Sequence, residues 1–205
     1  MKEKYKYVKD FISLDICDFL TTFSYKIKSL LPGDGQIPQS HAEHSKDNVL
    51  YAHLLDFCLD KMKKETQLKL KPIYCFNRIY LPGADLKKHT DREACEISAS
   101  ITLNYSYANL SYKWPLCMGE KPIIIEKGDA IIYKGCEIEH WRPVFNEENP
   151  SWHHQAFIHY IDLNGPYKDY EENKWLDNLK KFRNNEDRNR SKFLTNPKPT
   201  LLHFQ

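Results

Sequence analysis

Apolar residues recur early in the chain at steps of three and four: Leu14, Ile16, Phe19, Leu20, Phe23, Ile27 and Leu30. That spacing lays one apolar stripe along an α-helix. Ser13 stands at the N-cap position, where a side-chain oxygen can accept an otherwise unpaired N–H of the first turn. Pro32, Gly33 and Gly35 end the helix. A second stripe, Leu50, Ala52, Leu54, Leu55, Cys58, Leu59 and Met62, predicts another helix from about Asn48 to Lys64. The polar segment "GDGQIPQSHAEHSKD" between them reads as a loop, and residues 5–11 read as a short strand.

From about Leu68 the period changes. Short apolar or alternating runs at "LKPIYCFNRIYL", "EISASITLNYSY", "KPIIIE", "DAIIYKG", "EIEHWRPV" and "HQAFIHYIDL" predict strands. Turn residues separate them at Pro82-Gly83, Gly119, Gly128-Asp129 and Gly135. Many short strands with regular turns predict a mainly β fold, a sandwich or jelly roll, with the two helices packed on one sheet. "EENKWLDNLKKFRN" reads as a last helix and "NPKPTLLHFQ" as an extended tail. The expected organisation is a single domain over 1–205: helical support over 1–66, a jelly-roll core over 67–165, and a C-terminal helix and tail over 166–205.

Composition narrows the class. Thirteen Tyr and ten Phe suit packed sheet surfaces and argue against disorder. A formal charge of +2 is too balanced to point to nucleic acid. The locally basic "KKFRNNEDRNRSK" reads as a solvated segment. The six cysteines form no C-x-x-C pair and read as small buried hydrophobes in a reduced, cytoplasmic protein. "MKEKYKYVKDF" is charged where a signal peptide would be apolar, and no window holds the ~20 apolar residues a membrane helix needs. Nothing in the sequence speaks to oligomeric state.

The chemistry centres on "LPGADLKKHTDRE". In extended backbone, His89 and Asp91 project to the same side. An imidazole and a carboxylate on one side can share a metal ion. His140, in the predicted strand "EIEHWRPV", is the candidate third ligand. Two histidines and one carboxylate leave coordination positions open, the arrangement of non-haem Fe(II) oxygenases. An H-x-D pair alone occurs often by chance; the preceding strand, the Pro-Gly turn and the later strand-borne histidine give it weight.

"RIYLPGADLKKHTDRE", "SASITLNY", "KGDAIIYKGCEIEHWRPV" and "QAFIHYID" together resemble the 2-oxoglutarate/Fe(II)-dependent oxygenases, in particular their prolyl-4-hydroxylase-like group. The resemblance spans roughly residues 70–165 and implies a double-stranded β-helix. It implies Fe(II) on His89, Asp91 and His140, with 2-oxoglutarate and O2 as cosubstrates. The implied reaction is hydroxylation of a C–H bond with decarboxylation of 2-oxoglutarate to succinate. A peptide, protein or small molecule is the implied substrate, a prolyl residue first. A nucleobase substrate and a non-enzymatic, cupin-like metal- or ligand-binding jelly roll are the other readings.

In one respect this chain departs from the family. An Arg or Lys on the last core strand usually pairs with the far carboxylate of 2-oxoglutarate, yet "EENPSWHHQ", from Glu147 to Gln155, has neither. Arg142 shares strand parity with His140 and is the expected substitute, or else a structural Arg paired with Glu137 or Glu139. His153 and His154 come second. Tyr80 is expected to face the cosubstrate, with Tyr74, Phe76 and Arg78 on the same strand side. Trp114 and the Thr102/Asn104 pair are candidate pocket residues, and His159 reads as a hydrogen-bonded core histidine.

Overall fold

The computed structural model describes residues 1–31, 35–44 and 48–171. The chain from residue 172 on, with the expected last helix, basic segment and tail, lies outside the described residues. Strand β1 (Tyr5–Val8) leads into α1 (Leu14–Ile27), which starts at Ser13 as expected: the Ser13 hydroxyl accepts from the Ile16 N–H at 3.4 Å. The helix tightens into a 3-10 turn at Lys28–Leu30.

The segment expected to be one helix is two, α2 (Val49–Phe57) and α3 (Leu59–Thr66). Helical hydrogen bonds continue up to and out of Cys58: its N–H donates to Leu54 O and the Met62 N–H to Cys58 O. Each half buries an apolar face, Tyr51, Leu54 and Leu55 on one and Met62 on the other, while Val49 and Phe57 of α2 stay exposed.

The β region holds β3 (Leu70–Tyr80), β4 (Leu86–His89), β5 (Ile97–Ser106), β6 (Leu116–Met118), β7 (Lys121–Ile123), β8 (Ala130–Tyr133), β9 (His140–Arg142) and β10 (Trp152–Asp162). One strand, β2 (Ser40–His44), forms inside the segment read as a polar loop. It pairs with β3, Ser40 opposite Tyr80 and His44 opposite Phe76, and closes one edge of the larger sheet. An edge strand is hydrated along one side, so its polar sequence hides it.

The strands form two antiparallel sheets: six strands in the order β1-β8-β5-β10-β3-β2 and four in the order β4-β9-β6-β7. This is the jelly roll expected from the strand pattern. The central strands β5 and β10 are buried on both faces. Ala99, Ile101, Leu103, Ala156, Ile158 and Tyr160 face α1–α3 in the main apolar core. Ser98, Ser100, Thr102, His153, Gln155 and His159 are also buried, yet polar. Polar residues on the inner side of a buried strand need partners or a cavity, and the inner side of this sheet has both. No helix among the described residues is long and apolar enough to cross a membrane, and no disulfide joins the six cysteines.

Candidate metal centre

Strand register places the first two imidazoles. β4 pairs with β9, and His89 lies directly opposite His140. Their ring centroids are 4.4 Å apart. Asp91 follows two residues beyond β4, held by its own N–H to the Gly135 carbonyl at 2.9 Å. Asp91 Oδ1 then lies 3.7 Å from His89 Nε2 and 3.6 Å from His140 Nε2. Those gaps are too long for good hydrogen bonds. They are short enough for two coordinate bonds of ~2.1 Å each to span.

The tautomers suit a metal. His89 Nδ1 sits 2.8 Å from the Lys87 carbonyl and His140 Nδ1 3.1 Å from the Ile138 carbonyl. A carbonyl only accepts, so both Nδ1 atoms carry a proton, and in the neutral ring the lone pair is then at Nε2, facing Asp91. Backbone carbonyls often orient metal-binding histidines in this way. Burial pushes the Asp91 carboxyl above the usual carboxylate range, against the pull of His140 and His89. Burial also holds His140 below the ordinary histidine value, which keeps it neutral and ready to ligate. Asp91 Oδ2 is buried without a hydrogen bond of good geometry, and the Tyr133 hydroxyl is a side-chain donor neighbouring the carboxylate. Two imidazoles with Nε2 turned inward and a buried carboxylate fit a divalent transition metal.

Gly135 makes the closeness possible. A Cβ there would sit 2.6 Å from Asp91 Oδ2 and would also collide with the Cys95 carbonyl. The triad stands at a cavity of about 280 Å3 between the sheets. Tyr74, Phe76 and Phe157 wall it, and Arg78 and Ser100 also line it.

The structure brings His89, Asp91 and His140 together; Tyr80 and Arg142 lie one layer behind the cavity wall. Tyr80 is fully buried and packs edge-on against Trp114, centroids 4.9 Å apart. Arg142 donates to the Trp114 carbonyl at 3.1 Å and to Gln155 Oε1 at 2.9 Å, and its Nε is buried without a hydrogen-bond partner. Its partners are therefore not Glu137 or Glu139. His153 joins the same group, donating from Nε2 to Gln155 Oε1 at 2.7 Å, while His154 points the other way, toward the helices. Thr102 reaches Gln155 Oε1 at 3.3 Å. Asn104 instead donates to Asp18 of α1, because a register shift in the β5–β10 pairing at His154/Gln155 breaks its parity with Thr102.

Sequence reasoning put Arg78 on the right side of β3 without giving it a role. It is 5% exposed, lines the cavity, and donates to the Tyr80 hydroxyl at 3.1 Å and to Gln36 Oε1 at 3.1 Å. Strand parity was the available signal; depth along the strand was not.

No family model and no curated protein matches the chain. Solved structures do. HygX from Streptomyces hygroscopicus, with nickel and 2-oxoglutarate bound, superposes with a TM-score of 0.60 at 10% identity, over 78% of this chain and 84% of that one. A Pseudomonas putida prolyl-4-hydroxylase gives 0.57 at 16% identity, over 77% and 93%. The viral collagen prolyl hydroxylase of Paramecium Bursaria Chlorella virus-1, in complex with 2-oxoglutarate, gives 0.57 at 12% identity, over 78% and 96%. The chain thus shares the jelly-roll fold of the 2-oxoglutarate/Fe(II)-dependent oxygenases.

Proposed function

We propose that this protein is a 2-oxoglutarate- and Fe(II)-dependent oxygenase with its iron on His89, Asp91 and His140. It would hydroxylate a substrate C–H bond while 2-oxoglutarate is decarboxylated to succinate. One observation carries the reading: two Nε2 lone pairs converge on one Asp91 oxygen, at 3.6 and 3.7 Å, beside a jelly-roll cavity. Bound iron with 2-oxoglutarate and O2 supplies the oxidising power for an unactivated C–H bond.

The chain's own residues supply position and charge. The Lys87 and Ile138 carbonyls hold both imidazoles in the ligating tautomer. Asp91 supplies the negative charge, and Gly135 keeps it in place. Arg78, which lines the cavity and donates to the Tyr80 hydroxyl, would meet the far carboxylate of 2-oxoglutarate first, with Tyr80 and Arg142 behind it as the rest of the polar layer. Gln155 stands where the resemblance expects a cation on the last core strand, and Arg142 reaches it from β9. Gln155 Oε1 also takes His153 and Thr102, so three donors crowd one amide oxygen. Arg142 is 1% exposed and pairs with no carboxylate among the described residues. A buried cation without a counter-charge is costly, and a carboxylate ligand relieves it.

Within this class a prolyl residue of a peptide or protein is the substrate carried forward, since two similar folds are named as prolyl hydroxylases. A small molecule is the second reading, because HygX was solved with hygromycin B bound. The test is O2-dependent succinate formation from 2-oxoglutarate by the iron-loaded protein, followed by a peptide-array screen with mass detection. H89A, D91A and H140A are each expected to abolish turnover while staying folded. Turnover retained in all three sinks the proposal.

A further inference from the structure

The cavity holds a second set of metal donors. Asp91, Cys95 and His159 each present one ligand atom, and these atoms lie within 4.8 Å of one another. Cys95 closes a 3-10 turn, Glu93–Cys95, and His159 lies on the inner face of β10. Both are nearly buried, at 3% and 5%, and both line the cavity.

Hydrogen bonding fixes the His159 tautomer. The Ser98 hydroxyl donates its single proton to the Cys95 carbonyl at 3.0 Å. With that proton given to the carbonyl, Ser98 Oγ accepts from His159 Nδ1 at 2.8 Å, and the Tyr133 hydroxyl is its third polar neighbour. Nδ1 carries the proton, and Nε2 is a bare lone pair with no hydrogen-bond partner among the described residues. This repeats what Lys87 and Ile138 do for His89 and His140. Beside it, the Tyr74 hydroxyl lies 3.0 Å from Cys95 Sγ, placed to donate to a thiolate.

We propose that Asp91, Cys95 and His159 form a second metal site, which takes a thiophilic divalent cation such as Zn(II) and shares Asp91 with the first triad. Carboxylate, thiolate and imidazole are zinc-type donors, and three of them leave one position for solvent. The sulfur selects against Mg(II), Ca(II) and Mn(II). When the cation binds, the Cys95 S–H proton leaves to solvent and a sulfur–metal bond forms, with no change of oxidation state. Cys95 and His159 take no part in the first triad, so the site is argued without the oxygenase reading. On the proposed oxygenase reading, a cation there would compete with iron for Asp91 and so inhibit turnover.

Co(II) is the probe, titrated without O2 into the full chain. The wild type is expected to show a thiolate-to-cobalt charge-transfer band in the near ultraviolet. The band stays in C136S, which removes the partly exposed thiol, and in the H89A/H140A double variant, which removes the first triad. It disappears in C95S, and H159Q weakens the underlying affinity by more than ~10-fold. Cobalt binding to folded wild-type protein with no thiolate band overturns the proposal, and this holds even where C95S does not fold. A band that survives in folded C95S overturns it equally.

Discussion

His154 and His159 lie on one strand, both buried, on opposite faces of the larger sheet. On the helix side, His154 uses both ring nitrogens: Nδ1 with the Thr21 hydroxyl at 3.1 Å, and Nε2 with Tyr51 and Asn77, each at 3.3 Å. On the cavity side, His159 engages only Nδ1, as do His89 and His140. Burial alone does not separate the two kinds; it presses His154 and His159 alike down to a pKa of about 3. The count of engaged nitrogens separates them. A histidine with both nitrogens satisfied holds the fold together, and one whose Nε2 is left open is available to a ligand.

The sharpest way to break this contrast is to remove one histidine from each face. H140A is expected to weaken metal binding by at least ~100-fold, with little loss in urea unfolding. H154A should do the reverse. It strands Thr21, Tyr51 and Asn77 and costs ~2–3 kcal/mol, with the metal dissociation constant unchanged. Crossed results, with H154A impairing metal binding, would end the comparison. Next in size is G135A, whose new methyl group presses on Asp91. It is expected to lower metal affinity by ~10–100-fold, measured by calorimetry.

A smaller effect lies in pH. An unfolded histidine titrates near 6.5, whereas folded His154 does so only near 3. Between those values the unfolded chain binds a proton that the folded chain refuses, so stability falls as pH drops. The slope is ~1.4 kcal/mol per pH unit for each such histidine. In H154Q, unfolding free energies from urea titrations between pH 6.5 and 4 should fall with a slope flatter by about that amount. The smallest effect belongs to S13A, which removes the cap of α1 in the helical layer. It is expected to cost ~0.5–1 kcal/mol and to leave metal binding alone.

Helices, most strands and the order His89–Asp91–His140 were legible because each rests on local periodicity or on fold order. Other features rest on depth and neighbours. β2 is polar because it lies at a sheet edge, and β4 and β6 are too short to show a period. Parity correctly turned Arg78 and Arg142 inward, but only the packing of Trp114 and Gln155 sets which of them borders the cavity. His159 read as an ordinary core histidine. Its strand position was right, and its open Nε2 depends on a serine on the neighbouring strand, far away in sequence.

Strand β1 has a consequence for handling the protein. It covers the outer edge of β8, with Tyr5 opposite Tyr133 and Val8 opposite Ala130, and the Lys134 N–H donates to the Lys4 carbonyl just before Gly135. A protease that clips the chain after Val8 would uncover the apolar edge "AIIY", a template for strand-to-strand aggregation. The same cut would release the backbone that leads to Gly135. Lost solubility and lost metal would then arrive together, from a single nick far from the cavity in sequence.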